Sequence, residues 1–287
     1  MAFRFIDQHK GQWPVRRPCE ALEASPAGYY AWRRRPRSAR RQRRDALPAE
    51  VRAIRAGVKA RYGSPRIRAA LVARGHGCGA NAAAQLMREA GTAAKAAREF
   101  RCTTTDSGHA LPVADNLLGR QFDPASPNEA WVADITYIPT REGRLYLAAV
   151  GDLDSRRVVG RALAEPMESR LAVDALGRAV RRRLPGAGLL APSDRGSRYA
   201  SEHDQLLRAR HGITCGMSRR ADCWDSAPME SFFASLKKEL VHGADFATRA
   251  EARAAVVEYI EVFYTSKRRH SALGYVAPAE YEQPRRP

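Results

Sequence analysis

The sequence predicts an α/β fold with a basic, all-α segment ahead of it, and three observations carry this prediction. Three strand-like runs follow one another from residue 130 with short turns between them, and shorter apolar runs then alternate with amphipathic helices. Before residue 93, apolar residues instead recur at helical spacing, interrupted by Gly and Pro. The charge changes along the chain as well. Residues 1–125 hold 24 Lys and Arg against 10 Asp and Glu, whereas residues 126–287 hold 25 against 21.

The charge points to a polyanionic partner. The whole chain of 287 residues has a formal net charge of +18, and most of the excess lies in the N-terminal part. This asymmetry is typical of a nucleic-acid-binding arm joined to an ordinary globular domain, the alternative being a protein that is merely basic. Five cysteines, an odd number without a CxxC pair, argue against a disulfide framework and a zinc knuckle, so we expect a reducing cytoplasm. The chain has no apolar run of about 20 residues and its first residues lack a secretory signal.

The N-terminal part contains two candidate helix–turn–helix units. The first is "PVRRPCEALEASPAGYYAWRRR" (14–35), and a basic linker that we expect to be extended follows it at 33–44. A helix at 46–62 then leads to the second unit at 63–91, where Ser64 is a suitable N-cap with Pro65 at the first helical position. Basic helices of this kind predict contact with DNA.

The C-terminal part begins with a predicted antiparallel meander. Its strands are "AWVADITYI", "RLYLAAVGDL" and "RVVGRAL". A helix at 169–184, a strand at 188–194, a helix at 201–212 and a strand at 213–217 come next, and two further helices follow, of which the last opens with a capping box. The order β-β-β-α-β-α-β-α is that of an RNase H-like core, a five-stranded mixed sheet with flanking helices. The predicted domains are 1–45 (helix–turn–helix and basic linker), 46–92 (second helix–turn–helix), 93–127 (linker) and 128–287 (core with a C-terminal helix and basic tail).

Three acidic residues of the core are the candidate catalytic and metal-binding residues. Asp134 lies inside the first strand, Asp194 ends the fourth, and Glu230 is on the helix after a polar loop. The topology brings these positions together, and three convergent carboxylates cannot all stay ionised without a cation. Oxygen ligands suit Mg²⁺ or Mn²⁺, and two such ions support in-line phosphoryl transfer.

Basic residues around this core are the DNA-binding candidates. Lys237 lies two helical turns after Glu230 and so on the same face, the alternative being an ordinary surface lysine. The run "SKRRHSALGY" (266–275) is either a solvated tail or a segment packed on the core near DNA. We expect Trp131 in the core, and Asp152 and Asp154 as a solvent-facing pair at a strand end. The DNA-binding candidates are Arg66, Arg68, Lys237, Arg268, Arg269 and His270.

Several segments together resemble one family. "WVADITYIPT", "YLAAVGDLDSRRVVG", "SDRGSRYAS", "GMSRRADCWDSAPMESFFASLKKEL" and "YTSKRRHSALGYVAPAEYE" are similar to the catalytic core of OrfB-type insertion-sequence transposases, which are DDE recombinases of the retroviral integrase superfamily. The N-terminal segments resemble that family's helix–turn–helix portion. The sequence departs from the family pattern at Pro192, Ser226, Pro228 and Asp154, and none of these positions belongs to the triad.

The resemblance implies a function. Asp134, Asp194 and Glu230 would be the metal-binding triad of a DNA transposase that generates 3′-OH ends and transfers them into target DNA. The implied partners are the terminal inverted repeats and target DNA, further copies of the chain on DNA, and an upstream-frame partner or fusion. We expect it in the bacterial cytoplasm, associated with the nucleoid. Two alternatives stay open: an RNase H-like metal-dependent nuclease that only hydrolyses, and a DNA-binding protein with an inactive core.

Overall fold

A computed structural model describes residues 1–35, 39–93, 124–165, 169–191, 202–214 and 227–283. The helices before the sheet are α1 (Ala2–His9), α2 (Arg16–Ala21), α3 (Pro26–Arg34), α4 (Ala39–Gly57), α5 (Ser64–Ala73) and α6 (Ala80–Glu89). The strands are β1 (Trp131–Thr140), β2 (Gly143–Asp152) and β3 (Val158–Ala164). The later helices are α7 (Ser169–Arg183), α8 (Glu202–Arg210), α9 (Ala227–Glu239), α10 (Arg249–Glu258) and α11 (Pro278–Glu282).

The first three helices pack around a small core of their own. Ile6, Cys19 and Tyr29 are fully buried there, one from each helix. Helices α2 and α3 confirm the first predicted helix pair, and Ser25 caps α3 by accepting a hydrogen bond from the backbone of Gly28. Helix α1 was not predicted from the sequence.

The basic linker differs from its prediction. We expected an extended segment at 33–44, but residues 39–44 are the first turns of α4, which runs on through the predicted boundary at residue 45. The physical reason is that arginine, alanine and glutamine are good helix formers, so the segment continues a helix whose later turns are held by packing.

Helices α4, α5 and α6 form the second predicted unit and join the main core. Val51, Ile67 and Leu71 are fully buried in the same cluster as residues of the sheet and of α9 and α10. Helix α5 starts one residue earlier than predicted, so Gly63 rather than Ser64 is the N-cap. The helix–turn–helix unit is therefore docked on the core by a continuous apolar interior.

The three strands form the predicted antiparallel meander. Strand β1 pairs with β2 from Trp131 opposite Asp152 to Thr140 opposite Gly143. Strand β2 pairs with β3, with an irregularity between Val150 and Gly151. Isolated parallel bridges from Ala130 to Leu190 and from Leu190 to Thr214 lie beyond β1. The described residues thus contain three strands plus two bridges at the positions of the predicted fourth and fifth strands, and the five-stranded sheet stays a prediction.

Alternation along the strands divides the core into two layers of side chains. Leu145, Leu147 and Ala149 of β2 face the cluster that includes α9 and α10, whereas Ala148 and Val150 face the cluster that includes α7. The sheet therefore lies between two helical layers. In the described part of the chain, no helix is long and apolar enough to cross a bilayer.

Helix α10 begins as predicted but changes its helical type after Glu258. Thr248 caps it by accepting from the backbone of Glu251, which confirms the capping box. The predicted single helix, however, changes at Tyr259 into a π-helical stretch, Tyr259–Tyr264. This wider turn directs Tyr259 and Tyr264 into the core, where both are buried.

Candidate functional site

Asp134 lies on the face of the sheet that α9 covers. On β1, Val132 and Ile138 belong to the cluster shared with α9, and the two-residue period places Asp134 on that same face. It is half-buried and stands opposite Ala149 of β2. Its Oδ1 accepts a hydrogen bond of 2.7 Å from the backbone N–H of Ile135, which orients the carboxylate.

Glu230 is held above the sheet by its neighbours on α9. It lies in the first turn of the helix and is exposed, whereas the preceding Met229 is buried in the core. A Cβ placed on Gly151 would lie 2.8 Å from the Sδ of Met229, so the glycine lets this turn approach β2 closely. Because Gly151 pairs with Val132, the first turn of α9 lies over the part of the sheet that includes Val132 of β1.

The predicted triad is described in two of its three members. Asp194 lies outside the described residues, as do Pro192 and Ser226. Among the residues that the structure describes, no group of three His, Cys, Asp or Glu is placed to hold a metal ion. The donor set still fits a hard divalent cation, because both described members offer carboxylate oxygens on one side of the sheet.

Lys237 lies beside the far end of β1. Its ammonium is 5.4 Å from the centre of the Tyr137 ring, and the guanidinium of Arg144 is 4.8 Å from the same ring. Both distances are typical of cation–π contacts. Lys237 is half-buried, whereas Lys238 is exposed. The structure thus gives Lys237 a defined position on the α9 layer.

The segment 266–275 packs on the core rather than forming a solvated tail. Arg268 and His270 are buried, and Arg269 donates to the carbonyl oxygen of Tyr275 at 2.7 Å. Burial, followed by the charges of Arg268, Arg66 and Arg156, lowers the pKa of His270 to about 3. His270 is therefore neutral at physiological pH and accepts from Arg268 through Nε2 at 3.3 Å.

A buried carboxylate, Glu239, organises this segment. Its oxygens accept from Nε of Arg268 at 3.1 Å, from Nη2 of Arg268 at 2.9 Å and from the Tyr259 hydroxyl at 2.9 Å. Arg66 of α5 reaches the same carboxylate at 3.5 Å and donates to the Arg269 carbonyl at 2.9 Å. The helix–turn–helix unit and the core therefore share one ion-pair network.

Sequence reasoning missed Glu239, although a signal was present. Phe232, Leu236 and Glu239 recur at the spacing of one helical face, and the two apolar residues are buried. An acid at a core position of an amphipathic helix requires a buried partner. Arg68, by contrast, is exposed on α5 and donates to the Cys78 carbonyl at 3.1 Å.

A cavity of about 360 Å³ opens beside this network. Basic side chains from three separate parts of the chain line it, together with serines and the first turn of α9. The lining residues are Arg66, Arg156, Ala227, Pro228, Ser231, Ser235, Tyr264, Arg268, His270, Ser271 and Ala272. We call this cavity the basic pocket.

The prediction of a solvent-facing pair at Asp152 and Asp154 is wrong. Their exposed fractions are 2% and 7%. Asp152 accepts from the Trp131 indole N–H at 3.2 Å and from the backbone and hydroxyl of Ser155, both at 2.9 Å. It closes the turn after β2, a role that needs tertiary contacts. Trp131 is fully buried, which confirms its place in the core.

Comparison with known proteins supports the fold and identifies the family. Two family models described as "Integrase core domain" match residues 124–223 and 230–285, and one described as "HTH-like domain" matches residues 42–100. These matches, with the three-stranded sheet and its helical layers, confirm the predicted fold class.

Full-length relatives extend the comparison to the whole chain. "Insertion element IS600 uncharacterized 31 kDa protein" of Shigella sonnei is 40% identical over 265 residues, which cover 92% of this chain and 97% of the relative. "Transposase InsF for insertion sequence IS3A" of Escherichia coli (strain K12) is 39% identical over 284 residues, 98% of each chain.

Solved structures give a weaker likeness. The simian T-cell lymphotropic virus intasome is 16% identical with a TM-score of 0.46, and the match covers 84% of this chain and 76% of that one. The catalytic core domain of BIV integrase is 16% identical with a TM-score of 0.40, covering 53% and 92%.

Proposed function

This chain belongs to the IS3 family of insertion-sequence transposases, within the retroviral integrase superfamily, and on that premise we propose that its core cuts DNA and joins the ends to target DNA. The observation that carries the proposal is the placement of Asp134 and Glu230 on one side of the sheet. A rigid strand and the first turn of a helix hold these two carboxylates, as a phosphoryl-transfer site requires.

We propose Asp134, Asp194 and Glu230 as the residues that hold the metal. When bound, two Mg²⁺ or Mn²⁺ ions would activate the attacking oxygen and stabilise the leaving oxygen of the phosphodiester. The chain's own contribution is orientation. The backbone of Ile135 fixes one oxygen of Asp134, and the Met229–Gly151 contact fixes the height of Glu230 above β1.

DNA recognition is proposed for the N-terminal helices. The region before residue 125 carries most of the positive charge, and the HTH-like model covers α4 to α6. Arg68 is exposed there and can reach phosphate or a base edge. Lys237, held beside Tyr137 on the α9 layer, would contact the DNA backbone next to the reacting phosphate.

The proposed reaction suggests how copies of the chain assemble and where the protein acts. Joining two element ends requires two active sites at one place, so we propose that several copies of the chain assemble on the inverted repeats. An upstream-frame partner or fusion would supply further end recognition. We propose that the protein acts on the nucleoid in the bacterial cytoplasm.

The test is a strand-transfer assay with the three triad variants. Asp134→Asn, Asp194→Asn and Glu230→Gln are each expected to lower cleavage and joining at least ~100-fold, since each removes charge from a metal site worth several kcal/mol. The control is Asp174→Asn, an acid on α7 in the opposite layer whose side chain is 45% exposed, which should keep full activity. DNA binding should persist in all four variants.

Two results would redirect the assignment. Hydrolysis of pre-cut ends without any joined product would identify a nuclease. Cleavage that is the same in wild type and in all triad variants, or absent from a wild type that binds DNA, would identify a DNA-binding protein with an inactive core. Neither alternative is favoured by the family matches.

A further inference from the structure

We infer that the basic pocket binds a backbone phosphate of DNA and thereby connects the docked helix–turn–helix unit to the helix that carries Glu230. The inference rests on the proposed function, because it names where the DNA substrate is held. The pocket is built from α5, the turn after β2, α9 and the segment 266–275. None of the described lining residues belongs to the proposed metal-binding triad.

Arg66 and Arg268 give the basic pocket an excess of positive charge. Arg66 and Arg268 share a single carboxylate, that of Glu239, and one carboxylate cannot neutralise two guanidiniums. Arg156 adds a third guanidinium to the lining. Burial and the repulsion from Arg268 lower the pKa of Arg66. An anion in the pocket would relieve this repulsion.

The hydrogen-bond donors that line the basic pocket are of the kinds that bind phosphate. Guanidinium groups present planar pairs of N–H donors that match phosphate oxygens. The hydroxyl of Ser235 accepts from Nη2 of Arg268 at 2.7 Å, which leaves its own proton to be donated. Ser231 brings a second hydroxyl to the wall of the pocket. Arginine and hydroxyl donors around one cavity are the groups that usually contact DNA phosphates.

The N-terminal end of α9 lies at the wall of the basic pocket. This helix has 13 residues, and its first turn, Ala227 and Pro228, lines the pocket. The positive end of a helix dipole favours an anion at this place. Ser231 follows Glu230 directly, so a phosphate held here would lie one residue along the helix from a proposed metal ligand.

The aromatic rings at the basic pocket are placed so that the pocket suits the DNA backbone rather than a base. The aromatic residue of the lining, Tyr264, is buried, and the His270 ring packs against it edge to face with centroids 4.8 Å apart. The described lining thus offers no exposed ring for stacking a base. A cavity of about 360 Å³ has room for a phosphate with part of its sugar.

The basic pocket is lined both by the helix–turn–helix unit, through Arg66 of α5, and by the core. The Tyr62 hydroxyl donates to the Lys267 carbonyl at 2.6 Å and accepts from the backbone of Arg269 at 3.0 Å, which fixes the helix–turn–helix unit on this edge. Arg66 then enters the pocket from that unit. A phosphate bridging Arg66 and Arg268 would stabilise the docked arrangement while DNA is in place.

The test measures how DNA binding depends on salt. Purified full-length wild type, Arg156→Gln and Arg170→Gln are titrated with a labelled duplex from the end of the element that carries the gene. Arg170 is the matched control, because it loses the same charge at an 82% exposed position on α7, in the opposite layer. Arg156→Gln is expected to lower the slope of log K against log salt by about 0.9, one phosphate contact, and to weaken binding about tenfold at low salt.

A second variant keeps the inference testable if Arg156→Gln does not fold. Ala272 is exposed at the pocket wall, and Ala272→Asp places a carboxylate beside the guanidiniums while it keeps all the arginines. It is expected to raise the midpoint of thermal unfolding and to weaken DNA binding. A parallel titration with inorganic phosphate against chloride at equal ionic strength shows whether a free anion binds instead.

The outcomes separate this inference from the proposed function. If wild type joins DNA ends but Arg156→Gln and Ala272→Asp keep the wild-type slope and affinity, the phosphate site is wrong and the transposase function stands. If inorganic phosphate stabilises the protein while those DNA slopes stay unchanged, the pocket is a free-anion site and the inference is overturned. If wild type neither binds nor joins DNA, the proposed function fails and the inference with it.

Discussion

Replacing Glu239 with glutamine should lower the free energy of unfolding far more than removing an exposed charge does. The substitution keeps the side-chain volume and one oxygen acceptor but removes the charge that faces two guanidiniums. Glu239 and Arg268 have exposed fractions of 7% and 6%, so water cannot replace the lost charge. The Arg268 guanidinium would be left buried beside Arg66 without its carboxylate.

The size of the effect follows from these contacts. Breaking a buried ion pair by removing one partner costs about 3–5 kcal/mol. Ser235 and His270 still contact the Arg268 guanidinium, and the glutamine oxygen can still accept, which places the expected cost near ~3 kcal/mol. For a chain of this size that corresponds to a lowering of the unfolding midpoint by about 6–12 °C.

The matched control is Glu258→Gln at the same interface. Glu258 accepts from Lys59 at 2.7 Å, so it too joins the helix–turn–helix unit to the core, but their side chains are 48% and 62% exposed. An exposed pair of this kind contributes about 0–1 kcal/mol. Thermal unfolding of wild type and both variants measures the difference between their midpoints. Equal midpoints for Glu239→Gln and Glu258→Gln would refute the reasoning from burial.

Three further predictions concern the core. A Cβ on Gly160 would overlap the backbone of α7, so Gly160→Ala should destabilise the protein by ~1–3 kcal/mol. A Cβ on Gly177 of α7 would have its nearest neighbour at 3.6 Å, so Gly177→Ala should stabilise the protein by ~0.5–1 kcal/mol. Urea unfolding midpoints that rank the two variants the other way would contradict this packing. The pKa of His270 is lowered from 6.5 to about 3, so the unfolded chain takes up a proton below pH 6.5 that the folded chain does not, and stability should fall toward pH 3 by up to about 1.4 kcal/mol per pH unit. His270→Gln should flatten that dependence in urea unfolding at several pH values, and an unchanged slope would show that other groups cause it. Asp152→Ala leaves the buried indole N–H of Trp131 without its carboxylate and should cost ~1–3 kcal/mol, read from tryptophan fluorescence during thermal unfolding; an unchanged midpoint would mean that another acceptor replaces the carboxylate.

Local patterns predicted most of the regular structure. The strand-like run "WVADITYIPT" predicted β1 with Asp134 inside it, and Thr248 with Glu251 predicted the start of α10. Such signals succeed because strand alternation and helix capping depend on residues within a few positions of one another. They failed where neighbours in space decide, as at Asp152, which we expected in solvent and which is buried under Trp131.

The sequence by itself determined the fold class and the placement of the excess charge, and it singled out Asp134 of β1 and Glu230 of α9 as candidates. The tertiary structure alone decided what Glu239 contacts, since Arg66 lies 173 residues away in the chain and Arg268 lies 29 residues away. It also decided that His270 is neutral and that three arginines from separate segments line one pocket. The physical reason is that periodicity records only whether a side chain faces inward. The charges it meets there depend on how distant segments dock.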